Sequence, residues 1–186
     1  PEADFSLANS IGRPFWMTFG HQKHKNVETC LDIMRGRRAG AGNNDGEILV
    51  VVGQSEHLDK NVRPEVERLG LTDVIKFVGR IDAPNLHGLY RTALGLLFLS
   101  KYEGFGLPVL EAMGCGCPVI SSNVCSLPEV AGDAAYLIAP TDIEGASRAM
   151  TELISGGEIR QARITAGKVR AAEFSWERAA FETVQV

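Results

Sequence analysis

The sequence predicts an α/β fold built on a doubly wound, Rossmann-like parallel sheet. Short apolar runs, several rich in branched residues, recur along the chain, and most are followed by a segment with helical spacing. That alternation of strands and helices, at these lengths, is what builds a parallel sheet. Polar, glycine-bearing turns also follow the strands at residues 20–25, 53–56, 79–82 and 100–106. Ligands of open α/β sheets bind beyond the carboxyl ends of the strands, so one cleft can collect all four turns.

The elements follow in order. Residues 1–10 (PEADFSLANS) read as an irregular lead-in. Residues 14–20 (PFWMTFG) form an apolar strand ending in glycine, and residues 21–25 (HQKHK) a basic loop. Val27, Cys30, Leu31 and Met34 share one face of a helix over 26–35. Residues 35–46 (RGRRAGAGNNDG) read as a surface loop; Gly40 and Gly42 do not make a dinucleotide fingerprint, because they follow a helix rather than a strand. Residues 47–53 (EILVVVG) form the clearest central strand, an unbroken branched run suited to burial on both faces. A loop over 54–59 leads to an amphipathic helix over 60–69. Strand 73–79, helix 85–92 and the apolar strand 94–99 follow. Helix 108–113, strand 118–121, a helix starting at 127–131 and a short strand at 134–138 come next. Helices over 143–155, 158–173 and 176–184 complete the chain.

The chemistry concentrates in residues 100–129 (SKYEGFGLPVLEAMGCGCPVISSNVCSLPE). Glu103 and Glu111 bracket a turn interrupted by Gly104 and Gly106. Pro108 falls where a helix begins, a position that tolerates its missing N–H. The backbone N–H groups of Gly104, Phe105, Gly106 and Leu107 then stand at a helix N-terminus, which favours an anion. Carboxylates on either side accept hydrogen bonds from hydroxyls. Phosphate together with hydroxyls suggests a nucleotide sugar. Paired carboxylates also suit acid/base work in a glycosidase.

Glu103 and Glu111, seven residues apart within YEGFGLPVLEAMGCGCPVI and followed by SLPEV, closely resemble the C-terminal half of retaining glycosyltransferases of family 4 (glycosyl transferases group 1), which have the GT-B fold. The likeness continues through residues 134–142 (AAYLIAPTD) and FSWERAA, with a weaker match at Gly20 and at Lys25-Asn26, so it covers nearly the whole chain. It implies one donor-binding domain over residues 1–186, with the N-terminal acceptor domain absent. It implies no cofactor and no metal; the substrate would be an NDP-sugar, UDP- or GDP-linked.

The resemblance also assigns roles. Glu103 would contact the donor sugar and Glu111 the ribose. Lys25 would stand against the diphosphate near Gly20, with His21 or Lys23 as the second basic contact in a loop about one residue shorter than usual. Val78, Gly79 and Arg80 would meet the base through main-chain groups. Glu103 and Lys25 are the catalytic pair on this reading, and it argues against hydrolysis. A nucleotide-sugar epimerase-like GT-B enzyme and a non-catalytic nucleotide-sugar module remain the alternatives. A glycogen-type phosphorylase would need a pyridoxal-binding lysine in its own context, which is not found. Tyr102 packs either beside the ligand or in the core. Trp16 and Trp176 read as core residues, and His57 and His87 as ordinary loop or helix residues.

Composition narrows the class further. One domain is expected from 186 residues. Apolar content of 45% and charge of 23% are ordinary globular values, and a net charge of −4 gives no general attraction to nucleic acid. No run of about twenty apolar residues exists to span a membrane, although the resemblance leaves room for peripheral membrane association of a whole enzyme. The start lacks Met and the order of a signal peptide, and reads as a cut from a longer protein. Cys115, Cys117 and Cys125 are spaced C-x-C-x7-C, not as a zinc site; with Cys30 they read as buried or half-buried free thiols of a reducing, cytoplasmic compartment.

Overall fold

A computed structural model of the chain describes residues 2–40 and 46–184. Six strands form one parallel sheet: β1 (Phe15–Phe19), β2 (Ile48–Val52), β3 (Ile75–Gly79), β4 (Gly95–Phe98), β5 (Val119–Ser122) and β6 (Tyr136–Ile138). Their order is β3-β2-β1-β4-β5-β6. The chain therefore winds outward from β1 in one direction, returns, and winds outward from β4 in the other. The switch point lies between β1 and β4, where Trp16 pairs with Gly95 and Met17 with Leu96. β1 and β2 are buried at every position, as their unbroken apolar sequences require.

The helices are α1 (Ser6–Ile11), α2 (Val27–Ala39), α3 (Arg63–Arg68), α4 (Ala83–Thr92), α5 (Leu107–Gly114), α6 (Leu127–Ala131), α7 (Ile143–Ser155), α8 (Gly157–Ala172) and α9 (Trp176–Val184). They cover both sides of the sheet. α2 packs on α7, α5 on α6 and α8, and α1 on α4. None is long and apolar enough to cross a membrane among the described residues.

Several elements differ from the sequence reading. The lead-in contains α1, anchored where Asp4 N donates to Pro84 O at the start of α4. α2 runs on to Ala39 rather than stopping at Arg35, so the first part of the expected 35–46 loop is helix; of the Gly40–Gly42 stretch, residues 41 and 42 lie outside the described residues. The extension has a tertiary cause. Arg37 reaches the buried Glu47, with Nε 2.5 Å from Oε1, while Trp16 Nε1 donates to Oε2 at 2.6 Å. Arg37 also donates to Thr151 Oγ1 and Ser147 O on α7. A charge that far inside must be paired and hydrogen-bonded, and this one is on both sides.

The helix expected at 60–69 opens as a wide π-type turn over Leu58–Val62 before α3. α4 starts two residues earlier than expected because Asp82 caps it, Oδ1 accepting from Asn85 N. Trp16 is fully buried, but Trp176, expected in the core, is 79% exposed, and Phe181 and Val184 on the same helix are exposed as well. Of the four free thiols, Cys125 is exposed rather than buried.

Candidate functional site

The carboxyl ends of β1 and β4 bring the predicted basic loop and the glycine turn together. A short 3-10 turn, Lys23–Lys25, follows β1. Two contacts stitch it to the end of β4. Lys101 N donates to His24 O at 2.8 Å. Asn26 is buried in the left-handed region at φ 58°, and its side-chain amide donates to both Leu99 O and Pro140 O. Asparagine tolerates that backbone better than most residues. Lys25 is therefore fixed on both flanks. Its ammonium sits 2.6 Å from Glu103 Oε1 and 4.8 Å from the centroid of the Phe98 ring. Lys25 is 5% exposed. The two residues expected to serve donor and diphosphate thus pair with each other, with His24 Nε2 at 4.0 Å from the same oxygen.

The turn after Glu103 presents Gly104, Phe105 and Leu107 to solvent and buries Gly106. Gly106 is the residue before α5 and takes φ 102°, a conformation that side chains rarely adopt; a Cβ there would also meet Leu127 Cδ2 at 2.6 Å. Ser126 Oγ donates to Phe105 O, and the Phe105 ring meets Phe174 edge-on. The turn is thereby pinned with its amides at the start of α5. Glu111 follows one turn into α5. Its side chain is exposed, and Oε2 accepts from Tyr90 Oη at 3.2 Å.

The β1 edge supplies the rest. Gly20 N donates to Val52 O, and Ser55 Oγ donates to Gly20 O. A Cβ on Gly20 would approach Leu58 and Val51 to under 3 Å, so glycine is what lets this strand end against the loop after β2. His21 and Lys23 are exposed. Partial desolvation of the His21 imidazole, and then the Lys25 charge, lower its pKa, while Glu103 pulls the other way. Val78 and Gly79 are half-buried at the end of β3, Arg80 is exposed, and Gly53 N donates to Gly79 O. With strands about 4.8 Å apart, the β3 end lies roughly 10 Å from β1 along the edge. Tyr102, left open between ligand and core, is 65% exposed. No group of three or more His, Cys, Asp or Glu is placed to hold a metal among the described residues.

The sequence profile of the glycosyl transferases group 1 matches residues 19–170, which includes Gly20, Lys25, Glu103, Glu111 and the turn between the two glutamates. The chain belongs to that family. Among curated relatives, it is 40% identical over 119 residues to O-antigen chain mannosyltransferase B of Escherichia coli, covering 64% of this chain and 31% of the relative. Among solved structures, sucrose-phosphate synthase from Thermosynechococcus elongatus superposes with a TM-score of 0.83 at 25% identity, covering 99% of this chain and 48% of that one. HepE from Anabaena, solved with UDP and glucose, superposes with a TM-score of 0.79 over 91% of this chain and 47% of that one; at 19% identity it is similar in fold alone. This group 1 glycosyltransferase domain thus has the Rossmann-like architecture of GT-B C-terminal domains, and it spans about a third of the mannosyltransferase it matches.

Three supporting residues of the glycosyltransferase domain were not identified in sequence. Asn26 was matched only as part of a dipeptide, yet it locks Lys25. Tyr90 lies on α4, where an aromatic residue reads simply as core. Ser126 holds the turn from 21 residues away. His57, read as an ordinary loop residue, has Nε2 2.8 Å from Glu28 Oε1. In each case the partner is distant in sequence, so no local pattern announces it.

Proposed function

We propose that this chain binds the NDP-sugar donor of a retaining glycosyltransferase that moves a hexose to a glycan, lipid or small-molecule acceptor. The observation that carries this reading is the meeting of Lys25 and Glu103 at the β1/β4 switch point, beside the amides that open α5. The diphosphate lies across those amides and against Lys25, with His21 or Lys23 as a second contact. Glu111 accepts from the ribose, and Glu103 from hydroxyls of the sugar. Main-chain groups of Val78, Gly79 and Arg80 meet the base, about two strand spacings along the edge. The donor is UDP- or GDP-linked, and the uridine diphosphate and glucose of the HepE complex support the first of these on this fold.

Departure of the nucleoside diphosphate is the demanding step. Negative charge develops on the leaving phosphate oxygens, where a fixed ammonium and preorganised amides stabilise it without reorganising. Those groups do this work with no metal and no cofactor. The acceptor site and further catalytic groups belong to an N-terminal domain of the same polypeptide, and the enzyme works in the cytoplasm, a compartment that keeps its free thiols reduced.

Thermal unfolding of this chain with UDP-, GDP-, ADP- and dTDP-sugars tests the reading. A true donor at a hundred times its dissociation constant stabilises the fold by about 2.7 kcal/mol. The account expects a rise with one uridine or guanosine sugar that Lys25→Ala reduces. No rise with any of the four sugars would overturn it.

A further inference from the structure

We propose that Tyr90 is a positioning residue that aims Glu111 at the ribose, and so sets the preference of the site for ribonucleotides. The inference rests on the donor-binding reading given above. Tyr90 is fully buried on α4, with its ring inside the core and its hydroxyl reaching Pro108 and Glu111 of α5. That hydroxyl lies 3.2 Å from Glu111 Oε2 and 3.4 Å from Pro108 O. A phenol has a single proton to donate. The carboxylate is the stronger acceptor because it is charged, and the bond to it is the shorter of the two. Burial and the neighbouring carboxylate both push the Tyr90 pKa well up, so the group stays a donor at any pH the protein meets.

The consequence concerns a side chain that is otherwise free to move. Glu111 is exposed, and an exposed glutamate samples several rotamers. Holding Oε2 from the core side removes that freedom and leaves Oε1 as the oxygen offered to ligand. A ribose diol then meets a carboxylate already in place. Without the phenol, the same carboxylate must be ordered when ligand binds, and affinity falls by that ordering. The cost appears only for ligands that have the hydroxyls to be recognised. Tyr90 therefore never touches the ligand, yet it contributes to selection by the sugar of the nucleotide.

The test uses this chain and four probes: uridine and guanosine diphosphates, each beside its 2′,3′-dideoxy analogue, titrated into wild type, Tyr90→Phe, Glu111→Gln and the double variant. Tyr90→Phe keeps the ring and the core. For whichever base binds, it should weaken the ribonucleotide roughly three- to tenfold and leave the dideoxy analogue unchanged. In the Glu111→Gln background, the further loss from Tyr90→Phe should shrink, because a neutral amide oxygen accepts more weakly than the carboxylate. If wild type prefers the ribonucleotide and Tyr90→Phe prefers it equally, Tyr90 only fills the core and the inference is wrong. If wild type binds both probes alike, or binds neither, the ribose role of Glu111 falls and the inference falls with it. Equal losses for both probes in Tyr90→Phe would mark a general disturbance and likewise overturn it.

Discussion

Lys25 and Glu103, 78 residues apart in sequence, form a part-buried ion pair at 2.6 Å across the switch point of the sheet. The resemblance assigns Glu103 to the donor sugar and Lys25 to the diphosphate, and the fold brings the two side chains together. Lys25 has three donors, and one contact to Glu103 leaves capacity for a phosphate. The pair keeps a buried ammonium compensated until an anion arrives.

The first prediction follows from that pairing. Lys25→Ala removes the cation and leaves Glu103 as an uncompensated negative charge beside the diphosphate site. Affinity for the nucleoside diphosphate should fall about ten- to a hundredfold, and the loss should shrink at higher salt. Adding Glu103→Gln to Lys25→Ala should recover part of it, because the repulsion goes. Calorimetry of the single and double variants at two salt concentrations checks this; a double variant no better than Lys25→Ala would show that Glu103 exerts no field on the anion.

His21 gives a pH dependence. Its pKa is lowered in the fold by partial desolvation first and by Lys25 second. A folded value below the unfolded one means that protonation opposes folding, so this contribution to stability is lost as pH falls below the ordinary value of about 6.5. A bound diphosphate acts in the opposite sense and raises the His21 pKa. Binding should then take up protons below the ordinary histidine value, and affinity should rise as pH falls through that range. Calorimetry in two buffers of different ionisation enthalpy measures the uptake, and His21→Gln should abolish it. Uptake unchanged in His21→Gln would place the diphosphate elsewhere.

Stability depends on the buried Arg37–Glu47 pair beneath Trp16. Arg37→Ala strands the Glu47 carboxylate and should cost about 3–5 kcal/mol. Glu47→Gln in the same background should restore a good part, because the stranded charge is removed. Urea unfolding of the two variants gives both numbers. A loss under 1 kcal/mol for Arg37→Ala would show that Glu47 is neutral or hydrated without its partner.

How much of this was legible beforehand depends on range. The strands were, because a branched run such as residues 48–52 has few other solutions. The turn-to-helix step between Glu103 and Glu111 was legible because the whole block is contiguous, and α5 opens there. Gly20 and Lys25 were placed at the correct strand end. Arg37 was not: in sequence it lies in RGRRAG, a polar stretch that reads as loop, and only Glu47 and the α7 hydroxyls make a buried helix of it. Trp176 failed for the opposite reason. Its apolar ring argues for a core, yet α9 leaves it on the surface. The lead-in helix α1 is short and weakly patterned, and it is fixed by packing on α4.

Thiol chemistry distinguishes the four cysteines. Burial pushes the Cys30 and Cys117 thiols up to about 12 and raises Cys115 as well, whereas Cys125 is exposed. Alkylation at neutral pH should label Cys125 first, Cys115 slowly, and Cys30 and Cys117 only on unfolding, because the thiolate is the reactive form. Mass spectrometry of a labelling time course reads the order. Early labelling of Cys117 would contradict the packing of β5 against the helices.

The central claim, that Glu103 serves the sugar and Glu111 the ribose of one bound donor, is tested most directly by calorimetry on two variants with two ligands. Glu111→Ala should weaken both the nucleoside diphosphate and the NDP-sugar by about ten- to a hundredfold. Glu103→Ala should weaken only the NDP-sugar. It should leave the nucleoside diphosphate at least as tight as in wild type, since Lys25 is released to it. Equal losses of nucleoside diphosphate in both variants would contradict the roles assigned to the two glutamates, and no loss in either would remove the site from this turn.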